Sequence, residues 1–357
     1  MEQIVNLVRK FRYLDAIHQS DILDENTLDA KNIVLLSEVL FTASINLRGH
    51  PNETIKGYER IIRLINKLNK SKLKKVGLIR KLVYSLLFKG FELQELHKNR
   101  SAISCYNEII KKFADYPDET VKSCVADALQ HKADLLIQMK KIDQGIEIFQ
   151  QIIAKYGSEK NKLTRETIAI SLVKLGDIYA DQGIENRSTE SYDMVVRKYK
   201  RAISNSFLNE MVITALYQKG NTLIKFDRKN EAVTAYSLAL EKIEKNNNPN
   251  FYDRHLKIVI PLGMMLSETD RDEEAIKLFD SYIQRFGNIK KSDIRSLMVD
   301  MLILRGVFLM KVNKCKEARK AFNEIIKKFS QSKNPEIRKN VDVAKQKIDL
   351  LKSCPYM

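Results

Sequence analysis

Five histidines lie along the 357 residues, His18, His50, His97, His131 and His255. None forms the His-x3-His pair that would let one helical face hold a metal ion. The four cysteines, Cys105, Cys124, Cys315 and Cys354, share no metal-site or disulfide-framework spacing. Cys105 and Cys315 read as small packing residues, and a reducing, cytoplasmic setting is the expectation. The twelve glycines are dispersed and build no phosphate-cradling loop. Acid pairs such as Glu273-Glu274 suit the first turn of a helix, where carboxylates meet the positive end of its dipole. No nucleophile stands beside a base in any recognised pattern. The expectation is a protein that is not an enzyme and has no metal or cofactor.

The one strong charge feature is basic. The chain has 62 Lys and Arg against 45 Asp and Glu, for a net charge of +17. Between Arg60 and Phe91 there is no acid at all. Arg60, Arg63, Lys67, Lys70, Lys72, Lys74, Lys75, Arg80 and Lys81 fall in that window, with Lys89 at its end. Such a patch could contact phosphates, whose affinity would fall steeply with salt. It could equally be a solvated face, since no aromatic-basic platform for bases accompanies it.

The elements that would carry these residues repeat. Small residues recur as Gly90, Ala133, Gly176, Gly220, Gly263 and Gly306, at steps of 43 or 44 residues. Twelve residues after each comes Ala102, Gly145, Ser188, Ala232, Ala275 or Ala318. Sixteen after comes an aromatic: Tyr106, Phe149, Tyr192, Tyr236, Phe279 or Phe322. Offsets −4, 0 and +3 share one helical face, and so do +12, +16, +19 and +23. The small residues let two helices approach closely, and the aromatic fills the space beside them. At +7 stand Gly183, Asp227, Asp270 and Asn313, types that tolerate a left-handed helix end; His97 and Lys140 hold that place in the other two copies. Each unit is a helical hairpin that needs its neighbours to complete a core.

This ladder resembles the tetratricopeptide repeat, from about Leu35 to Phe329. It departs from it in a longer period and in mostly lacking the closing proline. The added residues extend the first helix: Asp118 to Met139 predicts a helix of about 33 Å. The resemblance implies an all-α, right-handed superhelical solenoid of about seven hairpins, of a long-period kind common in bacterial proteins. It also implies a concave groove lined by first helices at set offsets from the small residue. Carried over, those are Tyr84, Leu87 and Phe91, then Gln130 and Asp134, then Val173 and Asp177, then Tyr217 and Asn221. The last two repeats supply Lys257, Ile260 and Met264, then Ile303, Val307 and Met310. Relatives that clamp a chaperone's C-terminal carboxylate need Lys at −3 and Asn at +1. Here −3 is never Lys and only Asn221 matches, so that mode is excluded. The apolar wall of Ile260, Met264, Ile303, Val307 and Met310 suits an apolar or amphipathic segment, or simply core.

The ends complete the expected organisation. Residues 1–26 read as one amphipathic helix, with Ile4, Leu7, Val8, Phe11 and Leu14 on one face, and a polar break. Residues 27–329 form the array; its first repeat is degenerate, with Thr42, Thr54 and Tyr58 at the repeat positions. Residues 330–357 form a capping helix and tail, starting at Asn334-Pro335-Glu336. The terminal Cys354-Pro355-Tyr356-Met357 formally matches a prenylation box with poor middle residues. Pro261 predicts a kink near Lys257 to Pro261. No apolar run reaches the length of a membrane span, and the first residues lack a signal-peptide core. The functional expectation is a non-catalytic scaffold or regulatory subunit that binds a protein or peptide segment in its groove. The alternative is a nucleic-acid accessory protein using the Arg60 to Lys89 face.

Overall fold

The computed structural model of the chain describes residues 1–47, 49–68, 76–202, 205–244, 252–286 and 292–353. Among them are seventeen α-helices, one short 3-10 turn and no strand. The chain divides into two compact units, Met1–Ser171 and Leu172–Met357. The first holds α1 (Glu2–Arg9), α2 (Tyr13–Asp21), α3 (Ala30–Asn46), α4 (Pro51–Asn66), α5 (Val76–Glu95), α6 (Asn99–Phe113), α7 (Glu119–Gln138), α8 (Ile142–Tyr156) and the start of α9 (Lys162–Asp181). The second holds the rest of α9, α10 (Glu185–Tyr199), α11 (Ser206–Lys225), α12 (Lys229–Glu244), α13 (Tyr252–Glu268), α14 (Asp272–Phe286), α15 (Ser292–Lys311), α16 (Cys315–Phe329) and α17 (Pro335–Leu350). From α3 onward, odd-numbered helices open a hairpin and even-numbered helices close it. Within each unit the hairpins stack: α3 on α5 and α5 on α7 in the first, α13 on α15 and α15 on α17 in the second.

The hairpin core follows from the ladder. The six aromatics at +16 are at most 1% exposed. Where the anchor is glycine, the ring lies directly over its Cα: a Cβ at Gly90, Gly176, Gly220, Gly263 or Gly306 would come within 2.3–2.6 Å of that ring. No larger side chain fits while the ring keeps its place. Truncating one of these rings to alanine would cost about 3–5 kcal/mol.

The hairpin turn is built the same way six times. His97, Lys140, Gly183, Asp227, Asp270 and Asn313 all have φ between +56° and +73°. The next residue donates its N–H back to the carbonyl of the helix residue five before it, as in Lys98 to Leu93 and Arg228 to Leu223, both 2.8 Å. The +7 residue donates to the carbonyl three before it, as in His97 to Gln94 at 2.9 Å. These two bonds are the Schellman closure of a helix C-terminus. His97 and Lys140 therefore take the turn conformation despite their side chains. Gly49, with φ +79°, holds the same position after Thr42 in the first hairpin. First helices start differently, on side-chain caps. Asp29, Asp118, Asn205 and Asn334 each accept from backbone N–H groups of the first turn.

The N-terminal helix departs from expectation. Instead of one helix there are two, α1 and α2, because Phe11 takes φ +58° and closes α1 with the same paired bonds, Arg12 to Leu7 and Phe11 to Val8. Phe11 is consequently 78% exposed rather than on the buried face. Ile4, Ala16, Ile17 and Ser20 form the inner face of this miniature hairpin, which packs on α3. At the other end α17 starts on Asn334, with Pro335 in its first turn, and buries Ile337, Val341 and Ala344. Helix α13 stays helical on both sides of Pro261, which leaves the Lys257 carbonyl without its usual donor. Thr42 is exposed, whereas Thr54 and Tyr58 are buried.

Cys105 and Cys124 are buried free thiols. Burial pushes the Cys124 thiol up to about 12, which disfavours the thiolate. Cys315 is buried but disulfide-bonded, not the bare packing group expected. Cys354 lies outside the described residues. No described helix is long and apolar enough to cross a membrane.

Candidate interaction surface

The expected groove residues sit on the odd-numbered helices, and their burial sorts them. Leu87, Gln130, Val173 and Ile303 are under 10% exposed and belong to the core. Tyr84, Phe91, Asp134, Asp177, Tyr217, Asn221, Ile260, Val307 and Met310 are half-buried, and Lys257 and Met264 are exposed. These groups form the first-helix face of their unit.

In the first unit that face is aromatic. Tyr84 stacks on Phe88 with ring centres 5.6 Å apart, and Phe41 stacks on Phe88 at 6.3 Å. Phe91 continues the run from Phe88 at 6.0 Å to His131 at 4.4 Å. Neither Phe41 nor Phe88 was among the expected residues; both lie one or two positions off the family's contact offsets. A cavity of ≈ 340 Å³ opens between the end of α3 and α5, lined by Ser44, Ile45, Leu47, Gly49, Tyr58, Phe88, Phe91 and Glu92. Further along, Gln130 donates to Asp134 at 3.3 Å, and the Thr167 hydroxyl donates to Asp127 at 2.5 Å. Burial pushes the Asp127 carboxyl up to about 6, against the pull of that hydroxyl.

In the second unit the face is polar where it begins. The Tyr192 hydroxyl donates to Asp177 at 2.7 Å, and Gln218 donates to the same carboxylate oxygen at 3.3 Å. Asn221 donates to Gln218 at 2.8 Å and accepts from the Tyr236 hydroxyl at 2.7 Å. Expected groove residues Asp177 and Asn221 are thus joined through Gln218 in one chain of hydrogen bonds. Burial raises the Asp177 carboxyl, and the bonds from Tyr192 and Gln218 pull it back down. Beside this chain, Ile213, Thr214, Tyr217, Gln218, Arg254, Lys257 and Ile258 line another cavity of ≈ 340 Å³. Arg254 there pairs with Glu210.

The aromatic at +16 does more than fill space. Where it is tyrosine its hydroxyl reaches a polar groove residue: Gln94 for Tyr106, Asp177 for Tyr192, Asn221 for Tyr236. Where it is Phe279 or Phe322, the groove residue at +1 is the apolar Met264 or Val307. The choice does not track the +1 residue in every repeat, since Phe149 accompanies Asp134 and Tyr106 accompanies Phe91.

The described cations of the basic window are paired with acids. Arg60 is buried, at 4% exposure, and its guanidinium donates to Asp21 at 3.0 Å and to the Leu23 carbonyl at 2.7 Å. Arg63 and Lys67 both pair with Glu25. Arg80 pairs with Asp118, Lys81 with Glu38 and Lys89 with Glu59. The window lacks acids in sequence, but the fold brings acids to it from α2, α3, α4, the segment after α2 and the start of α7. Lys70, Lys72, Lys74 and Lys75 lie outside the described residues. Among the described residues, no group of three His, Cys, Asp or Glu side chains is placed to hold a metal ion.

Tetratricopeptide repeat profiles match residues 127–158, which are α7 and α8, and residues 213–243, which are in α11 and α12. Those two hairpins are tetratricopeptide repeats. Among solved structures it is similar to BtubC (BKLC) from P. vanneervenii, at 14% identity and a TM-score of 0.51, over 68% of this chain and 94% of that one. It is similar as well to a Signal Transduction ATPase with Numerous Domains from Pyrococcus horikoshii that has a tetratricopeptide repeat sensor. That likeness has 13% identity and a TM-score of 0.51, over 97% of this chain and 51% of that one. At such identities the likeness is one of fold. No curated protein matches this tetratricopeptide-repeat chain.

Proposed function

We propose that this tetratricopeptide-repeat protein is a non-catalytic interaction module, a scaffold or regulatory subunit that holds a segment of another protein on its first-helix faces. The observation that carries this reading is the character of those faces. In each unit, half-buried aromatic, polar and apolar side chains on odd-numbered helices surround a cavity large enough for side chains of a partner. Half-buried groups that give up little freedom on binding and present both apolar area and hydrogen-bonding atoms are what an interaction surface needs. The nucleic-acid reading is the weaker one, because the described cations of its patch, Arg60, Arg63, Lys67, Arg80, Lys81 and Lys89, are engaged by acids of the same unit.

The test is an affinity pull-down from the native host at low and high salt, with nuclease treatment. A partner protein should persist at high salt, because contacts of this kind depend little on ionic strength. It should be lost with Met264→Asp or Val307→Asp, which put a charge on the apolar end of the face. Recovery of nucleic acid and its binding proteins alone, abolished by nuclease or salt, would overturn the reading.

A further inference from the structure

We propose that the cavity framed by Ile45, Leu47, Tyr58, Phe88, Phe91 and Glu92 is a subsite for a cationic side chain, a lysine or arginine of the bound segment. The inference rests on the reading of the first-helix face as a peptide-holding surface and adds the chemistry of one contact.

Three observations carry it. The cavity, at ≈ 340 Å³, is many times the volume of a water molecule, roughly 30 Å³, and has room for a long side chain. Its walls are the rings of Tyr58, Phe88 and Phe91 with Ile45 and Leu47 beside them. Apolar walls receive the methylene stem of a lysine or arginine, and aromatic faces attract the charged head. Among the described lining residues Glu92 is the one carboxylate, and none is basic. That is a local inversion in a chain of net charge +17.

Glu92 also differs from the acids around the basic window. Glu25, Glu38, Glu59 and Asp118 each pair with a Lys or Arg. Glu92 is half-buried, and the neighbouring charge acting on it is another carboxylate, Glu95. Burial, and then Glu95, raise its carboxyl above the usual range. A partly buried carboxylate with no cation paired to it among the described residues is a standing cost that an incoming cation relieves. An anionic group would be repelled by both acids, and a neutral apolar group would desolvate Glu92 further without compensation. Ser44, whose buried hydroxyl has no hydrogen-bond partner, lines the same space.

The experiment titrates the full chain with N-acetyl-lysine amide and, separately, with its uncharged analogue N-acetyl-norleucine amide. The methyl NMR signals of Ile45 and Leu47 report occupancy. The lysine derivative should shift those signals saturably and bind at least about tenfold tighter than the norleucine one, the factor that 1.4 kcal/mol represents. Glu92→Gln, which keeps shape and removes charge, should abolish the difference. Phe88→Leu should weaken the lysine derivative while leaving the fold intact by circular dichroism. Arg48 stands between Leu47 and Gly49 in sequence and lies outside the described residues, so an Arg48→Ala variant is titrated in parallel. Equal affinity for the two probes, or an unchanged difference in Glu92→Gln, overturns the subsite. So does the absence of a saturable shift in both the native chain and Arg48→Ala. Loss of amine binding with a partner still captured in the pull-down would sink this subsite alone. Amine binding with no partner captured would sink the broader reading instead.

Discussion

Substituting Gly220 by alanine tests the packing logic of the array at one of its close glycine–ring contacts. The added Cβ would lie 2.6 Å from Cε1 and 2.7 Å from Cζ of Tyr236. Ordinary contact begins near 3.4 Å, so the ring must retreat by roughly 0.8 Å. Tyr236 is 0% exposed and its hydroxyl is held by Asn221 at 2.7 Å, so retreat disturbs a full shell and strains that bond. Overpacking of this kind costs about 1–3 kcal/mol. The better helix propensity of alanine offsets about 0.5–1 kcal/mol of it. The expected net is a loss of up to about 2.5 kcal/mol, the difference of the two ranges. In a Tyr236→Ala background the same substitution meets a vacated space, and its effect should fall to zero or change sign. The coupling between the two sites should therefore be about 1–3 kcal/mol. Urea unfolding followed by circular dichroism gives the energies. Amide hydrogen exchange in α11 and α12 localises them, because repeat arrays open in pieces. Gly77→Ala is the control: nothing lies within 4 Å of its added Cβ, and stability should stay within about 0.5 kcal/mol. A Gly220→Ala protein as stable as the native chain, with additive behaviour in the double variant, would refute the reasoning.

Other expectations follow from the same structure. Arg60→Ala removes the guanidinium that ties α4 to Asp21 and the Leu23 carbonyl; a loss of about 1.5–3 kcal/mol, with faster proteolysis between α1 and α3, is the expected result. Asp127 has its carboxyl raised from 3.8 to about 6, so the folded state holds a proton that the unfolded state releases. The contribution of this group to stability is then greatest below about pH 4 and declines as pH rises to about 6. Asp127→Asn should remove that decline, raising the urea midpoint at pH 7 relative to the native chain and not at pH 3.5. Tyr192→Phe deletes a donor that lowers Asp177, so the Asp177 carboxyl should titrate higher by carbon NMR, with a stability loss of about 1 kcal/mol.

The fold was legible in the sequence where identity encodes a local geometric demand. A glycine or alanine twelve and sixteen residues ahead of a small residue and an aromatic leaves few arrangements other than two close helices. Asp118 and Asn334 announced the helices they cap. What escaped was tertiary or conformationally expensive. A bulky Phe11 in the left-handed region gives no warning in sequence, since that region is disfavoured for such a residue. The burial of Arg60 depends on Asp21 and Leu23, almost forty positions away. For the same reason an acid-free window could not announce the acids that pair with its described cations. The face itself was half visible. Offsets placed Asp177, Tyr217 and Asn221 on it, but they also enrolled Leu87, Gln130, Val173 and Ile303, which neighbouring helices cover.

The tyrosines at +16 have a wider consequence. Tyr106, Tyr192 and Tyr236 are wholly hidden on the closing helices, yet each delivers one oxygen to the opposite surface. Exchanging one for phenylalanine deletes a single atom that no visitor to that surface would touch, and frees a carboxylate or amide to face it instead. Preferences of such an array can therefore drift through interior substitutions while every exposed residue stays the same. Two chains with identical outer faces need not greet the same guest.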